Sequence, residues 1–569
     1  MPHVITQSCC SDGSCVYACP VNCIHPSPDE PEFAAAEMLY IDPEACVDCG
    51  ACVSACPVGA IAPVTRLAPE QLPFVAINAA HYPDRGGVKI PPTSKLAPVL
   101  PAPKVRRGAM PLTVAIVGSG PAAMYAADEL LTQRGVRVNV FEKLPTPYGL
   151  VRAGVAPDHQ HTKGVTRLFD RIGRRRGFSY FLNVDVGRHV SHAELLAHHH
   201  AVLYAVGAPH DRRLEIAGIG LPGCGTATEV VAWINGHPDF VDLPVTLAER
   251  VVLIGNGNVA LDVARVLTAD PDMLAKTDIS AAALKALRAS TVCEVVIAAR
   301  RGPAESAFTL PELIGLTESA DVVLDAADHE LVEADLATAR DPVTLAKLAI
   351  LRGLPVASGT PTGLSPGRRI RLAYRMTPKR VIGEDRAVGV EFGKTGTGEV
   401  VTVDAGLVLS SIGYRGKPIP GLPFDEDAAV VPNRAGRVID AAGEQVAGVY
   451  VAGWIKRGPT GFIGTNKSCA MQTVSLLVDD FNAGLLTDPA GRADLLDKLI
   501  RARQPDVVDG AGWRAIDAAE IAEGAVDGRP RMKFTAVPDM LAAVAAAPPK
   551  PPVRRLVSHI PRIASWSSS

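Results

Sequence analysis

The chain has 569 residues, 47% hydrophobic and 21% charged, with a formal net charge of -3. At roughly 150 residues per domain, this implies three or four globular domains. The charge balance excludes the basic footprint of a nucleic-acid-binding protein, and no apolar run approaches the ~18 residues that read as a membrane-spanning helix. The opening MPHVITQSCC has neither the charged nor the apolar region of a secretory signal, so no membrane insertion and a cytoplasmic location are expected.

Nine of the 12 cysteines fall within residues 9–56. With no export signal, such density favours metal binding over a disulfide scaffold. Cys46, Cys49, Cys52 and Cys56, followed by Pro57, form the run C-x2-C-x2-C-x3-C-P, which binds iron–sulfur clusters. Zinc instead usually takes two C-x2-C knuckles set apart by a longer loop. Cys15 and Cys19, followed by Pro20, repeat the end of the run, and Cys9 lies six positions before Cys15. Over residues 1–66 the block resembles the seven-iron ferredoxins of bacteria. The resemblance implies a small α+β domain with a [3Fe-4S] cluster on Cys9, Cys15 and Cys56. It also implies a [4Fe-4S] cluster on Cys19, Cys46, Cys49 and Cys52, the last cysteine of each run serving the other cluster. The gap from Cys9 to Cys15 is shorter than that family's, so Cys10 can replace Cys9 or complete a second [4Fe-4S] cluster. Cys23 is read as a non-ligand, and Cys224, Cys293 and Cys469 as small buried hydrophobes.

Residues 67–110 hold eight prolines and read as a semi-extended linker, partly polyproline II. A fresh start follows in LTVAIVGSGPAAMYAADELLTQRGVRVNVFEK, an apolar strand, a glycine turn, a helix and a second strand. This βαβ unit argues for a parallel sheet. Gly118, Gly120, Pro121, Ala122 and Ala123 form G-x-G-x-x-A at the turn, and Glu142 closes the second strand. The first glycine permits the tight turn, the second lets a pyrophosphate reach the helix N-terminus, and the acid accepts from a ribose hydroxyl. A free 2′-hydroxyl is needed there, so FAD or NAD fits and NADP does not.

The unit recurs as Gly255, Asn256, Gly257, Asn258, Val259 and Ala260 after the strand VVLI. Its second strand ends in Arg300 and Arg301 rather than an acid. Paired guanidiniums attract a 2′-phosphate, so NADP(H) is preferred here. Downstream, Val451–Trp454 follows an apolar strand, and the small-residue turn 461–466 leads into a helix beginning near Lys467. The helix N-terminus can aim its dipole at the electron-rich end of a flavin.

PTPYGLVRAGVAPDHQHTK at 145–163, with YAVGA at 204–208, resembles the ferredoxin–NADP reductases of the adrenodoxin reductase type, over about 112–485. The resemblance implies that the first unit binds FAD, with Leu150, Val186, Trp454, Gly461, Phe462 and Ile463 as contacts. It implies NADP(H) on the second unit, with Glu312 and Gly461 near the nucleotide. His159 falls beside the flavin edge and, with Glu312, is the candidate catalytic pair; the plainer reading is a hydrogen-bonded structural histidine. Trp454 has a plainer reading too, as a core aromatic.

The expected architecture is α/β, with two Rossmann-like dinucleotide-binding domains preceded by the ferredoxin domain. Its divisions are 1–66 (iron–sulfur), 67–110 (linker), 111–215 and 408–490 (FAD), 216–407 (NADP) and 491–569 (a helical extension ending in PPKPPVRR and a disordered tail). The expected activity is hydride exchange between NADPH and FAD, then single-electron transfer to or from the clusters and an external ferredoxin-like partner. An alternative is an electron-feeding subunit similar to the small subunit of glutamate synthase.

Overall fold

The computed structural model describes residues 2–82, 96–99, 102–106, 110–243, 248–357, 367–491 and 493–547. PPKPPVRR and the serine-rich terminus lie outside the described residues, as do Pro83, Pro91, Pro92 and Pro101 of the expected linker. Among the described residues no helix is long and apolar enough to cross a membrane.

Two sheets dominate, the first of them mixed because Asn433–Arg434, Arg437–Ile439 and Gln445–Val451 pair antiparallel at one edge. The first holds seven strands, with Thr113–Val117 between Ala201–Tyr204 and Arg137–Glu142, and Gln445–Val451 joining beside Ala201–Tyr204. Strand residues alternate between faces: Val114 and Ile116 enter one apolar layer, Ala115 and Val117 the opposite one. A sheet covered on both sides requires such unbroken apolar strands. The second sheet has six strands, all parallel, in the order Cys224–Thr226, Leu407–Ser410, Arg250–Ile254, Glu294–Ala298, Arg369–Ala373, Asp321–Leu324.

The expected boundary at 407/408 therefore falls inside a strand, because Leu407–Ser410 pairs with Val251–Ile254. The chain crosses between the two sheets just beyond it. Tyr414–Arg415, running back to the first sheet, pairs antiparallel with His210–Asp211, running out of it. The two crossings thus brace each other.

The ferredoxin block is a small α+β unit built on the pair His3–Ile5 and Ile61–Pro63, with short helices Ser14–Ala18 and Ala51–Ala55. It extends further than its cysteines. Residues Pro73–Ala80, expected to be linker, form a helix whose Phe74 and Asn78 are buried. Asn78 accepts from the amides of Ile5 and Ile41 and donates to the carbonyl of Ile5. Proline at a first helical position is tolerated because its missing N–H has no partner there, which is why proline content misreads this segment.

The C-terminal extension is helical, as expected, over Ala493–Arg503, Gly510–Val526 and Val537–Ala546. It packs onto the first sheet's domain through Trp513, Ile516 and Met540. Lys533 Nζ then ties three regions together, donating to the Arg152 carbonyl at 3.0 Å and the Asn235 carbonyl at 3.2 Å, and pairing with Asp278 at 2.8 Å.

Candidate active site and cluster sites

The first dinucleotide turn has the expected geometry. Gly118 sits at φ +99°, and a Cβ there would lie 2.5 Å from the Ala205 carbonyl oxygen, so only glycine fits. Gly120 starts the helix Pro121–Leu131, and a Cβ on it would meet open space. Pro121 supplies the first turn, and Ala122 packs in the core beneath. Glu142 closes its strand. It accepts from the Ser119 hydroxyl at 2.7 Å and the Ser119 and Leu144 amides at 3.1 and 3.2 Å. Burial pushes its carboxyl upward against these bonds.

The loop 145–163 lies over this turn. Tyr148, at φ +84°, donates its amide to the Ser119 carbonyl. Leu150 opens a short helix and is 40% exposed. Val186 packs on the apolar layer that includes Phe141 and Val190. On the closing side, Trp454 donates to the Thr460 carbonyl at 3.1 Å and lies 5.2 Å from the Tyr414 ring. Gly461 is exposed at φ +79°. The Phe462 carbonyl accepts from Thr465 and Asn466, and Ile463 packs against the core. The following helix is Thr465–Asn482, starting two residues before the expected Lys467.

These residues fit a flavin. Arg457 donates through Nη2 to Thr465 and Asn466, while its buried Nη1 has no partner within the protein. A buried guanidinium nitrogen without an acceptor is costly, and a cofactor oxygen would satisfy it.

The second turn repeats the pattern. Gly255 sits at φ +115°, with Gly257 at the start of the helix Asn258–Thr268 and open space beside it. Asn258 braces the turn, accepting from the Thr309 amide at 2.8 Å. Asn256 faces the Ala307 amide at 3.5 Å, and Val259 packs on the core. Arg300 and Arg301 are exposed just past the strand Glu294–Ala298, where a ribose phosphate can reach them.

Between the two units lies a charged hub that joins the expected pair His159 and Glu312 to Arg265, Asp158 and Asp262, which sequence reasoning missed. Arg265, 4% exposed, donates to Asp158 at 2.5 Å, to Asp262 at 2.6 Å and to His159 Nε2 at 2.8 Å. Although burial works against it, Asp262 and Asp158 hold this guanidinium firmly charged. The hub joins the loop carrying Asp158 and His159 to the helix of the second unit. Glu312 Oε2 lies 3.8 Å from His159 Nε2 and 3.7 Å from Arg265 Nη1. Neither that oxygen nor Arg265 Nη1 has a hydrogen-bond partner within the protein. The signal was available: Asp262 and Arg265 are charges three apart inside an otherwise apolar helix, NVALDVARVLT.

In the ferredoxin domain one small cavity is lined by His3, Cys19, Cys23, Cys46, Cys49 and Cys52. Cys23 lies with its sulfur 3.4 Å from that of Cys19. Among the described residues, no three cysteine sulfurs lie within 4.8 Å of one another. Sulfurs around one zinc ion, at ~2.3 Å from the metal, would sit ~3.8 Å apart, so the spread suits a multi-iron cluster instead.

Cys9 and Cys56 lie on the other side, close enough to Cys10 and Cys15 to raise those thiols electrostatically, together with Asp12, beyond the larger effect of burial. Cys9 is pushed up to about 11. Iron would compensate thiolates that burial otherwise disfavours. Cys293 and Cys469 are buried as expected, and Cys224 is half-buried.

Comparison with known proteins agrees with this geometry. A 4Fe-4S binding domain family matches residues 39–62, and an NAD(P)-binding Rossmann-like domain family matches 116–180. Probable ferredoxin/ferredoxin–NADP reductases of Mycobacterium tuberculosis and Mycobacterium bovis are each 70% identical over 564 residues, 98% of this chain and 98% of theirs. This chain belongs to the ferredoxin–NADP reductases of the adrenodoxin reductase type. NADPH-ferredoxin reductase FprA of Mycobacterium tuberculosis is 42% identical over 460 residues, 76% of this chain and 98% of its own. The solved structure of that FprA in complex with NADPH superposes with a TM-score of 0.70 at 40% identity, over 76% of this chain and 100% of FprA. The reductase is thus an FAD-dependent oxidoreductase fold carrying an N-terminal ferredoxin domain.

Proposed function

We propose that the reductase exchanges hydride between NADPH and FAD, and that single electrons pass between FAD and its own ferredoxin domain, then to an external ferredoxin-like partner. The observation that carries this reading is the hub at Arg265. It sets the second nucleotide unit against the loop of the first, with His159 and Glu312 between them. The reading includes one [4Fe-4S] cluster on Cys19, Cys46, Cys49 and Cys52, one [3Fe-4S] cluster on Cys9, Cys15 and Cys56, and a cytoplasmic location. The full-length relatives give no support to the glutamate-synthase-like alternative.

Bound FAD supplies the conversion between a two-electron hydride and single electrons. The residues around it bind, orient and hold protons. The helix N-termini at Gly120 and Gly257 present amides and dipole to the two pyrophosphates. Glu142 accepts from a ribose hydroxyl, and Arg300 and Arg301 take the 2′-phosphate. Arg457 Nη1 donates to the cofactor near Gly461–Ile463. Glu312 and His159 hold the nicotinamide face, Glu312 with an oxygen to spare for an amide N–H, His159 with Nε2 fixed by Arg265.

The test is to add NADPH to anaerobic protein while recording flavin absorbance and the electron paramagnetic resonance spectrum. Flavin bleaching followed by cluster signals supports the reading. Flavin bleaching with unchanged clusters overturns the outward route. A [3Fe-4S] signal in the oxidised protein supports the assignment to Cys9, Cys15 and Cys56; its absence favours two [4Fe-4S] clusters. Natively purified protein without FAD would refute the reading altogether.

A further inference from the structure

Gly464 has an ordinary backbone, at φ −75°, yet no room for a side chain. A Cβ there would lie 2.2 Å from the Asp12 amide nitrogen and 2.4 Å from both Asp12 Cα and the Cys10 carbonyl oxygen. Its own amide donates to that carbonyl at 2.7 Å. Glycine is required here by a contact with the ferredoxin domain and not by its dihedral angles. Three residues on, Lys467 Nζ donates to Ser14 Oγ at 2.7 Å and lies 3.6 Å from Asp12. Asp12 in turn accepts from the Ser14 amide and hydroxyl, which stiffens the loop.

The position of this contact is informative. Gly464 directly follows the turn Gly461–Ile463 that closes the flavin site. The loop it grips carries Cys9 and leads into the helix Ser14–Ala18, whose Cys15 is buried in the ferredoxin core. Cys9, Cys10, Cys56 and Ile463 all belong to or pack on the core of the flavin-binding domain. None of Cys19, Cys46, Cys49 and Cys52 does so, and Cys49 is exposed beside Val47, itself 45% exposed.

We infer that the Gly464–Cys10 contact is the junction where electrons cross between the flavin-binding and ferredoxin domains, the Cys9/Cys15/Cys56 site being inner and the Cys49 site outer. The inference rests on the flavin-to-ferredoxin reading above. Each crossing moves one electron and no atom: the reduced flavin loses one electron and the iron site gains one. Two crossings discharge the pair that NADPH delivers as a hydride, and the one proton that came with that pair passes to water. The path from Ile463 through the Gly464 amide to the Cys10 carbonyl and Cys9 is covalent except for one hydrogen bond. Because the ferredoxin domain covers this face, electrons bound for a partner leave by the Cys49 side.

The test compares wild-type, Gly464→Ala and Lys467→Met holoproteins, mixed anaerobically with NADPH. One readout is the rate at which cluster signals follow flavin bleaching; the other is backbone hydrogen exchange across residues 9–14. A methyl at 464 must displace the loop and so break the Gly464–Cys10 hydrogen bond, the one non-covalent link in the path. Internal reduction is therefore expected to slow severalfold, with faster exchange across the loop. Lys467→Met adds no bulk and gives a smaller loss in the same direction; it decides the matter alone if Gly464→Ala fails to retain flavin. Wild-type cluster-reduction rates despite a loosened loop would overturn the junction. Wild-type protein whose flavin bleaches while its clusters never respond would overturn the underlying reading, and the junction with it.

Discussion

The Glu37 carboxylate, in the ferredoxin domain, accepts the amide hydrogen of Leu310 at 2.6 Å and so caps the helix that carries Glu312. Thr309, at the cap position itself, makes no side-chain bond to the helix. The other Glu37 oxygen pairs with Lys347 at 2.5 Å, and Leu310 and Ile314 join the ferredoxin core. Two domains thus share one helix, with the nucleotide site on it. Removing a cap costs about 1 kcal/mol, and Lys347, only 11% exposed, would also lose its partner. Glu37→Ala is expected to raise KM for NADPH severalfold with the flavin spectrum unchanged, while Glu37→Gln, which keeps an acceptor, retains most of the affinity. Equal KM values for the two variants would rule out capping.

On the proposed reading, Arg300 and Arg301 set the nucleotide preference. Hydrogen bonds to charged groups contribute about 1.5–3 kcal/mol, or roughly 10–100-fold in affinity. Replacing both by alanine is expected to lower kcat/KM for NADPH by roughly that factor and leave NADH nearly untouched. Both guanidiniums are exposed, and Arg301 lies only 3.7 Å from Glu305, a loose pair. Little stability should change. Steady-state kinetics with both nucleotides measures the ratio directly.

On the same reading, Glu312 gives the reaction a pH signature. Burial raises its carboxyl above the usual range, and the nearby His159 and Arg265 only partly offset it. The ionised form accepts hydrogen bonds at both oxygens, so kcat/KM for NADPH should climb as pH rises through this raised value. Glu312→Gln, which titrates no longer, should flatten that limb of the pH profile, and Glu312→Asp should keep it.

What could be read from the chain was local. The two glycine turns, the acid ending one second strand and the arginines beyond the other, and both cysteine runs lie within segments of a few tens of residues, where spacing alone implies geometry. Arg265–His159, Glu37–Leu310 and Arg152–Glu520 join residues 106, 273 and 368 positions apart. A local pattern can mark one side of such a pair, as Asp262 and Arg265 do, but not its distant partner. Leu407–Ser410 shows the same limit: an apolar strand does not say which sheet it will join. Proline content failed at Pro73 because the same residue that breaks a helix interior starts one well.

His199 predicts an acid-sensitive fold. Its Nδ1 donates to the Leu195 carbonyl at 2.7 Å and its Nε2 accepts from Asn139 at 2.9 Å, so the buried ring is satisfied only when neutral. Burial lowers it from 6.5 to about 4. A base depressed by folding contributes stability above its unfolded value, and that stability is lost as pH falls towards 4. A shift of this size corresponds to about 3 kcal/mol. Melting temperature should fall between pH 6.5 and 4 in the wild type. His199→Phe should be less stable at neutral pH, with this component of the slope gone.

Glu520, far along the chain, holds the loop over the first glycine turn. It is fully buried and binds Arg152 through two bonds, at 2.9 and 2.5 Å, with Arg531 at 3.2 Å and the Phe534 amide at 3.0 Å. Despite burial, Arg152 and Arg531 hold its carboxyl below the usual range, so its stabilisation is present at neutral pH and lost on acidification. Arg152 lies in the loop over the first glycine turn, and its guanidinium carbon sits 5.6 Å from the Trp513 ring centre. Trp513 meets Tyr148 edge-on at 5.6 Å, and Tyr148 holds φ +84°, a conformation that costs a non-glycine residue about 1–3 kcal/mol unless its surroundings impose it. Glu520→Ala would strand a guanidinium whose side chain is 11% exposed, at a cost of about 3–5 kcal/mol. The expected result is a lower melting temperature together with faster flavin release, read as recovered flavin fluorescence on dilution. Glu520→Gln keeps one oxygen acceptor for Arg152 and sets an amide N–H2 against its other nitrogen, and should fall between. If melting dropped while flavin stayed bound as tightly as in the wild type, the C-terminal extension would be only a brace for its own helices, and the order of the loop would have to come from Ser119 alone.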